Sequence, residues 1–239
     1  MRYAIYYAPE RDAPLWRFGC QLLGRDAETG EEVEALVPGD VDPLTWSEWT
    51  KAPRRYGFHA TLKAPFALAA GRTADELHTV LAAFAEARSA FPLPAMRVAA
   101  LGNFIALVPA AASPELQELA ADCVRAFEKF RAPLTAEQIS RRLESPLSPR
   151  QQAHLMRWGY PHVFGDFQFH MSLTGALPAD AVEPVAQQLQ ALYERVAGEQ
   201  DVRVQAVALF SEKAAGAAFQ LVRRYEFGEP DQPECLRPF

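Results

Sequence analysis

The chain has 239 residues, of which 49% are hydrophobic and 23% are charged. This length and apolar content are sufficient to bury one large core, so we expect a single domain spanning residues 1–239. The formal net charge is -6 at pH 7, which argues against a protein that coats nucleic acid non-specifically, because such binding needs many Lys and Arg contacts to phosphates. A small anionic ligand remains compatible, since one local basic cluster is enough.

The amino-terminal segment, residues 1–10, lacks the apolar core of a signal peptide, and no stretch approaches the roughly 20 apolar residues of a membrane span. We therefore expect a soluble, cytoplasmic protein that has no membrane partner. Cys20, Cys123 and Cys235 are odd in number and widely spaced. They predict reduced thiols rather than disulfides or a zinc site, and we expect no metal and no cofactor.

The first elements in chain order are a strand over residues 2–8 and a helix over residues 14–23 that Gly24 terminates. Residues 24–55 are acidic and rich in Gly and Pro. This composition predicts a long loop, and loops of that length in compact domains are usually functional or mobile. Trp46 and Trp49 lie within it, either as a hydrophobic anchor or as part of a lid over a site.

Two stretches of the chain repeat the order strand, helix, strand, strand. The first has a strand near residues 57–63, a helix capped by Thr73 and Glu76, and two strands around Gly102-Asn103, a hairpin signal. The second has a strand near residues 168–174, a helix with Asp180 and Glu183 at the same capping spacing, and strands near 202–210 and 217–227. An Arg-rich helical segment, 131–161, separates the copies. The repeat predicts an α+β fold whose sheets each carry helices on one face, with a site between them.

Each predicted repeat begins with the same short motif. The two copies are His59-Ala60-Thr61-Leu62 and His170-Met171-Ser172-Leu173. In an extended strand, alternate side chains share a face, so each histidine lies beside the hydroxyl residue of its motif. Two histidines that face one ligand would suit acid-base attack on phosphorus. The alternatives are a chance match, or strand histidines that a backbone carbonyl satisfies.

Alternation along the two motif strands also places Lys63 beside Thr61, and Thr174 beside Ser172. Lys63 then either contributes positive charge to a phosphate site or is a solvated lysine at the end of a strand. Several basic residues lie near these elements in sequence and would steer an anion if they gathered at a cleft mouth. They are Lys51, Arg54, Arg55, Arg141 and Arg142.

Other chemistries have weaker support in the sequence. His154, His162 and His170 are spaced by eight residues, which suits neither one helix face nor a close metal-binding cluster. The sequence has no Gly-rich phosphate loop of the P-loop or dinucleotide type, and no Gly-x-Ser-x-Gly motif.

The paired motifs resemble those of the 2H phosphoesterase superfamily, which includes RNA 2',5'-ligase-like proteins and cyclic phosphodiesterases. Three longer segments are similar to a branch encoded in bacterial phosphonate-utilisation operons. They are residues 53–66, 157–161 and 169–175. The resemblance implies a two-lobed, pseudo-symmetric fold, with antiparallel sheets flanking a central cleft, helices outside and the motifs facing each other.

The same resemblance implies metal-independent hydrolysis of cyclic phosphodiesters. His59 and His170 would be the general acid and base, in an order that the sequence leaves open, and Thr61 and Ser172 would bind the non-bridging oxygens. The expected substrate is a small phosphorylated sugar or nucleotide rather than a long RNA. A non-catalytic phosphometabolite-binding protein and a 2',5'-ligase-like activity remain alternatives, and the oligomeric state is open.

Overall fold

The computed structural model describes residues 1–39, 41–198 and 202–229. Cys235, which the sequence predicts to be a reduced thiol, lies outside these residues. Cys20 and Cys123 are both free and buried. Within the described part of the chain, none of the helices combines the length and the apolar character that a membrane crossing requires.

The fold is α+β, with antiparallel strand pairing. The strands are β1 (Arg2–Tyr7), β2 (Ala60–Phe66), β3 (Phe91–Pro92), β4 (Met96–Leu101), β5 (Phe104–Pro109), β6 (Met171–Ser172), β7 (Arg203–Val204), β8 (Ala206–Glu212) and β9 (Gln220–Glu226). The α-helices are α1 (Pro14–Leu23), α2 (Pro43–Tyr56), α3 (Ala74–Glu86), α4 (Pro114–Ala126), α5 (Ala136–Leu143), α6 (Pro149–Trp158) and α7 (Ala179–Ala197).

Seven strands form one sheet in the order β4-β5-β6-β2-β1-β8-β9, and β3 pairs separately with β7. The order shows that the two repeats exchange their hairpins. The β8-β9 hairpin of the second repeat lies on the side of β2, whereas the β4-β5 hairpin of the first repeat lies beside β6. The helices follow the same exchange, because α3 packs against β9 and α7 packs against β4. Neither repeat is therefore a separate structural unit.

The sequence predicted separate sheets on either side of a cleft, but the structure joins them at β2 and β6. The junction is narrow, since Ala60 opposite Met171 is the pairing between these two strands. The β4-β5 hairpin is confirmed, with Leu101 opposite Phe104 and Gly102 at φ 66°. The turn that closes the hairpin uses the positive φ that glycine adopts without strain.

Helix caps followed the sequence prediction in the first repeat but not in the second. Thr73 and Glu76 form the predicted capping box of α3. The box predicted from Asp180 and Glu183 is wrong, because Pro178 is the N-cap residue of α7 and makes no side-chain capping bond. The start of α7 instead reflects burial of its apolar face, which packs on the core.

The prediction that residues 24–55 form a long loop is wrong, because the second part of this segment is α2. Pro43 occupies the first turn of α2, where its missing N–H has no helical partner to lose, and Asp42 caps the helix by accepting from Thr45 N. Pro53 lies in the last turns and offers no donor to the carbonyl of Trp49. Gly175 N donates to that carbonyl at 2.6 Å instead. Helix α2 is therefore hydrogen-bonded to the backbone two residues after the second motif.

The two tryptophans of α2 contribute to the core rather than to an exposed lid. Trp46 is 1% exposed, and its Nε1 donates to the carbonyl of Leu22 at 3.0 Å. Trp49 is half-buried and packs against the core. The anchor interpretation of Trp46 is confirmed.

The predicted helical segment between the repeats is present but divided. Helices α5 and α6 are separated by residues 144–148, and each begins with a capping box, formed by Thr135 with Gln138 and by Ser148 with Gln151. Helix α5 has no buried residue, so it lies on the protein surface, where Gln138 and Arg142 contribute to the lining of a cavity.

Candidate active site

The register between β2 and β6 brings the two motifs together. Because Ala60 is opposite Met171, one step in each direction places His59 across from Ser172 and Thr61 across from His170. Ala60 and Met171 are fully buried, so the four polar side chains lie on the other face of the strands. We call His59, Thr61, His170 and Ser172 the motif quartet.

The two histidines of the motif quartet occupy diagonal positions across the strand pair. Diagonal neighbours in antiparallel strands are roughly 7–8 Å apart, compared with about 5 Å for residues directly opposite. We therefore expect space for a small tetrahedral group between the two side chains. Each hydroxyl residue lies across from the histidine of the other motif.

Both histidines make the same hydrogen bond to the backbone. His59 Nδ1 is 2.8 Å from the carbonyl oxygen of Gly57, and His170 Nδ1 is 2.8 Å from that of Gln168. A carbonyl only accepts, so each Nδ1 carries the proton and donates it. In the neutral rings, Nε2 is therefore the acceptor, and His59 Nε2 lies 3.2 Å from Thr61 Oγ1. The carbonyl bond satisfies one nitrogen and leaves the other for chemistry.

Burial lowers the pKa of both histidines. The pKa of His59 falls to about 4, mainly through desolvation, with a smaller contribution from the charge of His170. The ring of His59 stacks on that of Tyr6, with centroids 3.7 Å apart. Burial also lowers the pKa of His170, although its bond to the Gln168 carbonyl opposes the shift. Both rings are therefore neutral at pH 7 in the free protein.

A cavity of about 310 Å³ opens beside the motif quartet. Thr61 and His170 line it, whereas His59 and Ser172 adjoin these two residues without lining the cavity. Its other polar lining residues are Tyr160, His162, Asp166 and Gln168, and its apolar lining includes Leu62, Leu101, Phe104, Val124 and Val163. The cavity lining therefore combines polar and apolar residues, as small-molecule sites usually do.

Sequence reasoning gave no role to Tyr160 or His162. Tyr160 belongs to a segment that carries the family resemblance, residues 157–161, but no motif assigns chemistry to it. His162 is exposed and reaches the cavity because the chain turns after Gly159, which ends α6 with φ 73°. Only the tertiary structure brings these residues to the motif quartet.

Lys63 and Thr174 do not line the cavity beside the motif quartet. Thr61 is opposite Tyr6 while Lys63 is opposite Ile5, so Leu62 is an extra residue that breaks the alternation, as in a β-bulge. Lys63 is 4% exposed, and its Nζ donates to the Val124 carbonyl and to Glu128, each at 3.1 Å.

Thr174 is 1% exposed, and its Oγ1 accepts from Ile105 N at 3.0 Å. It lies where the second motif strand has already ended, because β6 stops at Ser172. The prediction from strand alternation therefore failed at both positions. At Lys63 the cause is a bulge in β2, and at Thr174 the cause is that β6 is too short to reach it.

The basic residues near the motifs differ in their contacts. Arg54 supports the backbone, since its Nε donates to the Leu23 carbonyl at 2.6 Å, and Lys51 is exposed. Arg55 and Arg2 both bind the buried carboxylate of Glu212. These contacts, Arg2 first, lower the pKa of Glu212 to about 2. Arg141 is exposed and Arg142 is half-buried.

In the described ranges, no group of three or more His, Cys, Asp or Glu side chains is arranged to hold a metal ion. The polar side chains that line the cavity are imidazoles, hydroxyls, the Gln168 amide and one carboxylate, that of Asp166. Asp166 is already engaged by Arg150, whose Nη2 lies 2.7 Å from Oδ1.

These features define an α+β protein whose paired His-x-Thr/Ser motifs meet on adjoining strands. The chain belongs to the DUF1045 family, described as proteins of unknown function, and residues 61–220 match the family model.

Two curated relatives are similar along nearly the whole chain. The ribose 1,5-bisphosphate phosphokinase PhnN of Janthinobacterium sp. (strain Marseille) is 36% identical over 230 residues, which cover 95% of this chain and 51% of that protein. The PhnN protein of Laribacter hongkongensis (strain HLHK9) is 37% identical over 232 residues, covering 93% and 51% respectively. The chain thus spans about half the length of the curated relatives it matches. A solved structure described as a phosphoesterase covers 95% of this chain and 98% of its own, with 12% identity and a TM-score of 0.39.

Proposed function

We propose that this protein is a metal-independent phosphoesterase of the 2H type, which hydrolyses a small cyclic phosphodiester. The observation that carries the proposal is the motif quartet, in which each histidine donates from Nδ1 to a backbone carbonyl and so keeps Nε2 as the acceptor. The exchange of hairpins between the repeats supports the pseudo-symmetric, two-lobed 2H fold. In each repeat the helix that follows the motif strand, α3 or α7, packs against the hairpin of the other repeat.

Hydrolysis needs one histidine on each side of the phosphorus. The neutral histidine takes a proton from water through Nε2 as the water oxygen bonds to phosphorus. The bond from phosphorus to one ring oxygen breaks, and the protonated histidine donates its Nε2 proton to that oxygen. The product is a phosphate monoester with a free hydroxyl. The diagonal placement of the two histidines suits this in-line arrangement.

Thr61 and Ser172 would donate hydrogen bonds to the non-bridging oxygens of the phosphate. Charge on these oxygens must be stabilised in the transition state, and hydrogen-bond donors directed at them do so. In the free protein, the Thr61 hydroxyl lies within 3.2 Å of His59 Nε2. Substrate binding would turn this hydroxyl toward phosphate and free Nε2 for water.

We assign His59 as the general base and His170 as the general acid. The pKa of His59 falls to about 4, so its Nε2 is unprotonated over the whole neutral range. An anionic phosphate bound beside His170 raises the pKa of that histidine, because opposite charge favours the protonated form. His59 is then the proton acceptor and His170 the proton donor.

A sugar phosphate is the substrate class that the relatives favour. Their name refers to a kinase that acts on ribose 1,5-bisphosphate, yet this chain has no Gly-rich loop to hold the phosphates of a nucleotide. It also spans only about half of those proteins. We therefore propose that this region carries out a separate hydrolytic step on a related phosphosugar.

The direct test is turnover of a cyclic phosphodiester in excess EDTA. Purified protein should convert a nucleoside 2',3'-cyclic phosphate to a monoester, followed by phosphorus NMR, at the same rate with and without chelator, because imidazoles supply both proton transfers. Activity that EDTA abolishes and zinc restores would contradict the metal-independent mechanism. Saturable binding without any product, over a set of cyclic ribose and nucleotide phosphates, would instead assign the site to a binding protein.

The pH dependence of kcat/KM should be bell-shaped with its maximum on the acid side of neutrality. This parameter reports the free enzyme, in which the pKa of His170 lies below its usual 6.5. As pH rises through that pKa, the acid is lost and kcat/KM falls. As pH drops through about 4, His59 becomes protonated and the base is lost.

His78 provides the control for this profile. It lies on α3 and contacts the Tyr225 hydroxyl, away from the motif quartet. His78→Gln should leave both limbs unchanged. A wild-type profile that keeps rising to pH 8 would contradict the assignment of His170 as the acid.

A further inference from the structure

A second cavity, of about 230 Å³, adjoins the first and is unusually basic. Arg2, Lys63, Arg131 and Arg142 contribute to its lining, and the remaining polar lining comes from Thr135, Gln138 and Tyr160. Within the part of the chain that the structure describes, no Asp or Glu lines this cavity. We call it the basic cavity.

The carboxylates behind the basic cavity neutralise only part of its charge. Glu128 pairs with both Lys63, at 3.1 Å, and Arg131, at 2.6 Å. Glu212 pairs with both Arg2, at 2.5 Å, and Arg55. Two carboxylates therefore form ion pairs with four cations, so the cluster keeps a net positive charge.

Arg142 adds a further charge to this cluster. Its Nη1 donates to the carbonyl of Gln138 in its own helix at 3.0 Å, and in the described ranges it has no carboxylate within ion-pair distance. Burial, together with the charges of Arg141 and Arg2, lowers the pKa of Arg142. A half-buried guanidinium among other cations is a costly arrangement that a bound anion would relieve.

The basic cavity adjoins the cavity beside the motif quartet. Val124, Tyr160 and Val163 line both. A small ligand that spanned both cavities would place one anionic group near His170 and another near Arg142. Tyr160 stands between them, and Arg142 is close enough to influence its pKa.

From this geometry we propose that the substrate carries a second, non-reacting phosphate, which the basic cavity binds through Arg142. The substrate class is then a small cyclic phosphodiester that also bears a phosphate monoester. This inference rests on the proposed function for the reacting phosphate only. Guanidinium groups bind phosphate oxygens in a bidentate manner, which fixes orientation as well as affinity.

The test measures binding rather than turnover, so that it does not depend on catalysis. Calorimetric titration would compare adenosine 3',5'-bisphosphate with adenosine 3'-phosphate, both of which are acyclic. The wild-type protein should bind the bisphosphate at least about 10-fold more tightly, because Arg142 would add a charge-assisted hydrogen bond to the second phosphate. Arg142→Gln should remove this advantage while leaving the affinity for the monophosphate unchanged.

Arg141→Gln is the matched control, because it removes the same charge from the neighbouring residue of α5, which lines neither cavity. It should keep the preference for the bisphosphate. Thermal unfolding of both variants would show that α5, which buries no residue, is unaffected. Equal affinities for the two ligands, or a preference that survives Arg142→Gln, would overturn the proposal, as would failure of the bisphosphate to bind.

Inorganic phosphate distinguishes a substrate subsite from a site for a free anion. If phosphate alone binds through Arg142 and the bisphosphate gains nothing over the monophosphate, the basic cavity takes a free anion and the proposal is wrong. Loss of turnover on every cyclic substrate, with the bisphosphate preference intact, would contradict the proposed hydrolysis but not the second subsite.

Discussion

Replacing either His59 or His170 with alanine is expected to lower kcat for a cyclic phosphodiester by about 100-fold or more, the usual range for an acid or base group. Each histidine handles one of two proton transfers that water does poorly. The measurement is steady-state turnover of a nucleoside 2',3'-cyclic phosphate at the pH optimum of the wild-type protein. KM should change much less than kcat, because the phosphate retains the hydroxyl donors of Thr61 and Ser172.

Structural loss must be separated from chemical loss in these variants. His59 stacks on Tyr6, so His59→Ala removes packing as well as a base. His59→Asn keeps a polar donor near the Gly57 carbonyl and should lose activity to the same extent while retaining more stability. His78→Ala, at a half-buried histidine remote from the motif quartet, should keep full turnover. Undiminished activity in both single variants, with folding intact, would reject the acid-base assignment.

Gly57→Ala is expected to lower the free energy of unfolding by about 3 kcal/mol, from backbone strain and overpacking together. Gly57 has φ 80° and ψ 174°, a region that is essentially restricted to glycine. A Cβ at this position would lie 2.3 Å from the Cβ of Ala27. For a domain of this size, the loss corresponds to a fall in Tm of about 10 °C. The Gly57 carbonyl also accepts the hydrogen bond from His59 Nδ1, so kcat should fall as well.

Two further variants divide the Gly57 effect into its causes. Gly71 has φ 77°, and a Cβ added there would meet no atom within 4 Å, so Gly71→Ala reports the strain of a positive φ without a clash, about 1 kcal/mol. Adding Ala27→Gly to Gly57→Ala removes the clash and should recover part of the stability, in a double-mutant cycle. If Gly57→Ala is no more destabilising than Gly71→Ala, contact with Ala27 is not a constraint on the first motif.

Local chemistry was sufficient to predict several parts of this molecule from the sequence. The Gly102-Asn103 hairpin, the Thr73 and Glu76 capping box and the end of α1 at Gly24 all depend on residues within a few positions of one another. The order of elements in the repeats was readable for the same reason, since periodicity and caps are short-range signals.

Local signals also misled at specific positions. The prolines at 43 and 53 indicated a loop, yet the first occupies a favourable helix start and the second leaves a carbonyl that Gly175 satisfies from elsewhere in the chain. Alternation assigned Lys63 to the face of Thr61, but the bulge at Leu62 depends on how β2 pairs with β1. Neither outcome can be inferred without the partner segment.

By itself the sequence determined the two motifs and their residue types, and it predicted the contact of His59 with Thr61, because these residues lie only two positions apart. Only the tertiary structure decided that the motifs meet, through the register of Ala60 with Met171. It also decided that Tyr160 lies between two cavities. Of the cations that line the basic cavity in the described part of the chain, it paired Arg2, Lys63 and Arg131 with a carboxylate but not Arg142. The physical reason is that register, hairpin exchange and ion pairing are set by segments far apart in the chain, whose encounter depends on packing of the whole core.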